Sequence, residues 1–175
     1  MCYVFRELSQ YLRDLVAFQS GMKTALERSL VMIRIIAAGR IRDKRLAGLL
    51  DDFLKRIRAM APVEVLEIKD SNPDREARDM VTRLGSPQGR QLVVAMDEHG
   101  DDLTSRDFAT LLGGHGGISF LIGGADGLGP DARARADRTI RLSSMTLTHE
   151  MARVFLVEQV YRGLSILRGK PYHRG

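Results

Sequence analysis

The chain has 175 residues, 27 Lys and Arg against 22 Asp and Glu, and a net charge of +5. Its 44% hydrophobic and 28% charged composition is that of one globular domain rather than a disordered chain. It also excludes a membrane span, since no run approaches the ~18 apolar residues one needs. The basic balance favours a polyanion such as RNA as partner, although moderately basic small proteins are common. Cys2 is the single cysteine, which excludes an internal disulfide and a Cys-based metal cluster and fits a reducing, cytoplasmic home. Arg6, Glu7, Arg13 and Asp14 interrupt the N-terminal apolar stretches, so no secretory signal is read there.

Residues 1–31 read as an added helix, with Phe5, Leu8, Leu12, Leu15, Val16 and Met22 at roughly helical spacing. The pattern changes at Met32, where the β-branched run Met32 to Ala38 makes a first strand ended by Gly39. Met32 is therefore a candidate start, with 1–31 an upstream extension and 32–175 the functional domain. Asp43 is placed to cap a helix whose stripe runs Leu46, Leu49, Leu50, Phe53, Leu54, Ile57 and Met60. Val63 to Ile68 is a second strand. After Ser71-Asn72-Pro73 a charged helix runs to about Leu84, and Leu92 to Met96 is a buried third strand ending at Asp97.

The run Asp97-Glu98-His99-Gly100-Asp101-Asp102 is either a metal-binding cluster or, as favoured here, a polar strand-to-helix loop. Thr104 or Ser105 caps the helix that follows, through Leu112. Gly113-Gly114-His115-Gly116-Gly117 then turns into the strand around Ile118-Ser119-Phe120. The helix opened by Pro130 carries Arg133, Arg135, Arg138 and Arg141, a solvated face or an RNA-phosphate contact. Thr139 to Ser143 reads as a fifth strand and Ser144 to Thr148 as a loop. His149 opens the longest C-terminal helix, whose apolar face runs Met151, Val154, Phe155, Val160, Tyr161, Leu164 and Leu167. Glu158 and Arg162 are spaced to pair on it.

Strands and helices alternate, so a mostly parallel α/β sheet with helices on both faces is expected, with ligands at the carboxyl ends of its strands. The glycine cluster Gly123-Gly124-Ala125-Asp126-Gly127-Leu128-Gly129 follows one such strand. It brings backbone close to a ligand or to another piece of chain. It spells neither G-x-G-x-x-G nor G-K-[ST], so a phosphate-based grip is not expected. With the ends at Met96 and Leu142 it would frame a pocket built mainly from backbone.

Read together in order, Leu121-Ile122-Gly123-Gly124-x-x-Gly127-Leu128, Leu142-Ser143-x-Met145-Thr146-Leu147-x-His149, Arg153, Glu158-Gln159, Tyr161-Arg162 and Pro171-Tyr172-His173-Arg174 resemble the RlmH family. Phe53 to Ile57, Val65 to Ile68 and Met96-Asp97-Glu98 extend the likeness upstream, and it covers Met32 to Gly175. These are SPOUT-class methyltransferases acting on a pseudouridine of large-subunit (23S) ribosomal RNA. The resemblance implies a SPOUT-type α/β fold with a deep C-terminal trefoil knot and S-adenosylmethionine as cofactor. It also implies a homodimer in which one subunit's tail completes the other's site, working on the ribosome without metal or membrane.

Carried over, the cofactor residues are Met96, Gly123, Gly124, Leu142, Ser143, Ser144, Met145, Thr146 and Leu147. His173 is the candidate general base for the N3 proton, with Arg174 and Arg153 expected to stabilise negative charge or hold phosphate. Tyr172 would pack against cofactor or base, and Arg133, Arg135 and Arg162 are the candidate RNA contacts. The chain departs from the family at Asp126 (usually Glu), at Thr148 (usually Pro) and at Gly175 (often Glu), so a looser entry into the knot is expected. A SPOUT enzyme acting on another RNA, or a non-catalytic ribosome- or RNA-binding protein, are the competing readings.

Overall fold

The computed structural model of the chain describes residues 31–85 and 91–173, so the helix expected upstream of Val31, and Arg174 and Gly175, lie outside the described residues. Val31–Gly175 is a compact unit by itself. Its elements are β1 (Met32–Ala38), α1 (Lys44–Arg58), β2 (Val63–Ile68), α2 (Pro73–Leu84), β3 (Gln91–Asp102), α3 (Ser105–Gly113), β4 (Gly117–Ile122), α4 (Pro130–Ala134), β5 (Arg138–Arg141) and α5 (His149–Leu167).

The helices start where side chains can take up the free N–H groups of a first turn. Asp43 accepts from the N–H groups of Arg45 and Leu46 at the start of α1. Asn72 accepts from Arg75 ahead of Pro73, a residue with no N–H to satisfy. Thr104 and Asp107 form a reciprocal capping box on α3. Thr148 accepts from the N–H of Met151 and caps α5. A proline there would have no side-chain acceptor, so in this chain Thr148 adds a cap worth about 1 kcal/mol.

Five strands form one sheet in the order β2-β1-β4-β3-β5, and every pairing is parallel. Buried on both faces, its central strands are near-continuous apolar runs rather than alternating ones. On one face Ile33, Ile35, Val94, Ile118 and Phe120 pack with Leu54 and Ile57 of α1, Phe108 and Leu112 of α3, and Leu156, Val157 and Val160 of α5. On the other, Ile36, Ala38, Ala95 and Leu121 pack with Ala77, Met80 and Leu84 of α2 and Ala132 of α4. The expected sheet with helices on both faces is thus present.

Three sequence expectations are corrected. The run 97–102 is not a loop: β3 continues through it to Asp102, with a register shift between Met96 and Asp101 before it rejoins β5. What holds this polar run in a strand is its main-chain pairing with β5, Asp101 opposite Ile140 and Asp102 opposite Arg141, with exposed ion pairs from Arg138 to Asp101 at 3.3 Å and from Arg141 to Asp102 beside it. The helix after Pro130 is correspondingly short. It ends at Ala134, so Arg138 and Arg141 belong to β5 rather than to a helical basic face. β5 itself stops at Arg141, leaving Leu142 and Ser143 in the loop before α5.

Among the described residues no helix is long and apolar enough to cross a membrane.

Candidate active site

Met96 to His99, within β3 at its register shift, and the loops that follow β4 and β5 meet at one cavity of about 320 Å³. From β3 come Met96, Asp97, Glu98 and His99, and from β4 the turn Ile122 to Gly127. The segment after β5 adds Leu142, Ser143 and Met145 to Leu147, and His149 and Ala152 close one side from α5. The volume lies at the lower end of the range for small-molecule sites.

The glycine loop folds on itself. A Cβ at Gly123 would lie 2.3 Å from the carbonyl of Gly127, and Gly127 itself has φ +79°. The N–H of Gly127 donates to the carbonyl of Gly124 at 3.2 Å, closing the turn. The end of the loop rests on α2, where a Cβ at Gly129 would meet the carbonyl oxygen of Pro73 at 2.3 Å. Of the two possibilities raised by the glycines, the structure shows close approach to another piece of chain, and the turn so made lines the cavity.

The electrostatics centre on Asp97, whose side chain is 6% exposed. Its carboxylate takes the N–H and ring of His99 on one oxygen, at 3.0 and 3.1 Å, and Arg133 on the other at 2.9 Å. Burial pushes this carboxyl up; the hydrogen bonds from His99 and the charge of Arg133 outweigh it, and the net position is below the usual value. Arg133 also donates through Nε to the carbonyl of Leu128, so it ties the glycine loop to β3. Across the mouth, the Thr146 hydroxyl donates to Glu98 at 3.1 Å, linking β3 to the loop before α5.

Eight of the nine expected cofactor residues line this cavity: Met96, Gly123, Gly124, Leu142, Ser143, Met145, Thr146 and Leu147. Ser144 does not. Asp97, Glu98, His99, Asp126 and His149 line it too, though none was named as a cofactor residue. A polar run directly after a buried strand was the signal for the first three. Arg133, expected on RNA, lines the cavity instead, and Arg135 is half-buried at the end of α4.

The remaining expected residues lie elsewhere. Arg153 is fully buried. One of its terminal nitrogens donates to Glu67 at 2.9 Å, the other to the carbonyls of Ala38 and Gly39 at 2.9 and 3.0 Å, and its Nε has no partner. Burial pulls its pKa down while Glu67 opposes this. In this chain Arg153 braces α5 against the end of β1 and does not reach the cavity. Tyr172 lies back on α5: its hydroxyl donates to Glu158 at 3.0 Å, its ring meets Tyr161 edge-on at 4.7 Å, and Arg162 stacks over it at 4.9 Å. Burial, followed by the hydrogen bond to Glu158 and its charge, raises the phenol above its usual value. Glu158 and Arg162 do pair, as their spacing requires. His173 lines no part of the cavity, and its Nδ1 is buried without a partner.

A parallel sheet framing a pocket at its carboxyl side, with no phosphate-binding glycine motif, is an α/β fold with a site for a small organic molecule. Residues 31–173 match the family model described as predicted SPOUT methyltransferase. The chain is 44% identical over 147 residues to the ribosomal RNA large subunit methyltransferase H of Polynucleobacter asymbioticus, covering 81% of this chain and 98% of that one. Its counterpart in Synechococcus sp. CC9605 is 41% identical over 143 residues (81% and 95%), and that of Anaeromyxobacter dehalogenans 2CP-1 is 37% identical over 151 (81% and 99%). The chain belongs to the SPOUT methyltransferase family, and S-adenosylmethionine is the methyl donor of that family.

The cavity fits that donor chemically. Met96, Ile122, Leu142, Leu147 and Ala152 offer apolar wall for an adenine, while Glu98 and Asp126 supply carboxylates for a ligand carrying ammonium and sulfonium charges, Asp97 being already taken by His99 and Arg133. Among the described residues no group of three or more His, Cys, Asp or Glu side chains is arranged to hold a metal ion.

Proposed function

We propose that the protein transfers the methyl group of S-adenosylmethionine to N3 of a pseudouridine in 23S ribosomal RNA, working on the ribosome in the cytoplasm. The observation that carries this is the convergence of β3 and of the loops after β4 and β5 on one cavity in a chain whose residues 31–173 match the SPOUT family. The names of its relatives supply the RNA class. S-adenosylmethionine brings an already activated methyl group, so the protein's share is to align donor and acceptor and exclude water.

The turn Gly123–Gly127 and the segment Leu142–Leu147 hold the donor by backbone, and the apolar walls keep water from its reactive end. The acceptor nitrogen must lose a proton. His173 is the residue suited to take it, with Arg174 steadying the negative charge that remains, while Arg153, held inside the fold by Glu67 and the carbonyls of Ala38 and Gly39, acts only as a brace. Because His173 does not reach the cavity of its own chain, this reading requires a homodimer in which the tail serves the partner's site. Tyr172, Arg135 and Arg162 then present an aromatic face and cations to the RNA, while Arg133 stays on the cavity wall, held by Asp97 and Leu128. Residues 1–31 stand outside the catalytic domain, which begins at Met32 and includes the family's C-terminal knot.

Ribosomes lacking this methyl group, incubated with the protein and methyl-labelled S-adenosylmethionine, test the reading. Label recovered as N3-methylpseudouridine from large-subunit RNA is the expected result. Label in another nucleoside, or in another RNA, would overturn the target but keep the chemistry. Absence of both label and donor binding would overturn the enzyme reading.

A further inference from the structure

One carboxylate touches the donor pocket from behind. Glu76 lies in the N-terminal part of α2 and is only 3% exposed. Its two oxygens are taken up by main chain: one accepts from the N–H of Ser71 at 2.8 Å, the other from the N–H of Gly124 at 3.2 Å. Gly124 is a lining residue of the cavity. The approach is tight, since a Cβ on Gly124 would sit 3.0 and 3.1 Å from the two Glu76 oxygens. The same stretch of α2 carries the far end of the loop, through Gly129 against Pro73 and Ala77.

Resting on the function proposed above, we propose that Glu76 is a positioning residue for the methyl-donor site, setting where the Gly123–Gly127 turn stands in the cavity. The turn's other ties fix its shape and its front edge: the Gly127-to-Gly124 bond closes it, and Arg133 holds Leu128. Glu76 is the tie that anchors Gly124 to a different layer of the fold. Only an ionised carboxylate meets both N–H groups with acceptors. A glutamine offers one acceptor oxygen and turns an NH₂ towards the second N–H, and an alanine offers none. A buried peptide N–H without an acceptor is costly. Gly124 can escape that cost by turning its N–H into the cavity, which moves donor-binding backbone without unfolding the domain.

The test compares the full-length protein with Glu76→Gln, Glu76→Asp and Met80→Ala. Met80 lies one turn further along α2, is fully buried, and lines no part of the cavity. Donor affinity is measured by calorimetry with S-adenosylmethionine, stability by urea unfolding, and turnover at varied donor. Loss of one hydrogen bond at the loop predicts about tenfold weaker binding for Glu76→Gln, appearing as a raised KM with kcat little changed. Glu76→Asp keeps both acceptors but withdraws them by one methylene, and is expected to lose affinity less; it serves if Glu76→Gln does not fold. Met80→Ala is expected to lose stability while binding the donor within about twofold of wild type.

Wild-type affinity in both Glu76 variants would overturn the proposal. So would a Met80→Ala protein whose affinity falls in step with its stability, because Glu76 would then matter only as scaffold. Failure of the wild-type protein to bind the donor would overturn the functional reading itself, and this inference with it.

Discussion

Replacing Arg153 with Met isolates the energetic role of the one fully buried cation among the described residues. The guanidinium makes one charge-assisted bond to Glu67 and two to the carbonyls of Ala38 and Gly39. Methionine fills much of the same volume but leaves two main-chain carbonyls at the end of β1 without these donors, each at a cost of about 1–3 kcal/mol. Glu67 is 38% exposed and is re-solvated at little cost. Removing the partnerless Nε returns roughly 1 kcal/mol of desolvation. The net expectation is a loss of about 3 kcal/mol, or about 6–12 °C in Tm for a domain of this size. Urea unfolding with linear extrapolation measures it, and an unchanged m-value identifies the loss as one of native-state stability. A loss under about 1 kcal/mol, or a gain, would refute the reasoning and show that burying this charge costs as much as its bonds return.

Gly123→Ala places a Cβ 2.3 Å from the Gly127 carbonyl, so the turn must open; donor binding by calorimetry is expected to fall at least about tenfold, and unchanged binding would mean the turn is not the donor site. Asp97 has a folded-state pKa below its unfolded value, so its stabilising contribution is fully present above about pH 4 and is lost as pH falls through the lower, folded value. Asp97→Asn should therefore flatten the dependence of stability on pH below about pH 4, read by urea unfolding across that range. The Tyr172 phenol is raised, first by burial and then by Glu158, so ultraviolet titration should show a tyrosine ionising above the usual phenol range, and Glu158→Gln should lower that transition in part. In the methylation assay His173→Ala is expected to lower the rate at neutral pH by about a hundredfold, and an undiminished rate would remove it as the base.

Local signals carried much of this fold. The β-branched run from Met32, the stripe from Leu46 to Met60, the Asn72-Pro73 opening and the glycine turn are each legible because the forces behind them act within a few residues. The apolar runs also marked which strand ends would meet, and so where the cavity lies. Charged positions were a different matter, because their roles depend on partners far away in the chain. Asp101 and Asp102 read as loop until β5, well down the chain, supplied the main-chain partners Ile140 and Arg141 that make them strand, with Arg138 and Arg141 as exposed counter-charges. Glu76 looks like one more carboxylate on a charged helix, and its partner Gly124 is 48 residues on. Arg153 looks like a site residue until the carbonyls of Ala38 and Gly39, over a hundred residues earlier, are found around it. Sequence by itself determined the strands, the helices and the turn, since apolar burial and capping are written in local spacing. Only the tertiary structure decided which charges became braces and which faced the cavity, because a buried ion is placed by whichever backbone groups the fold brings to it.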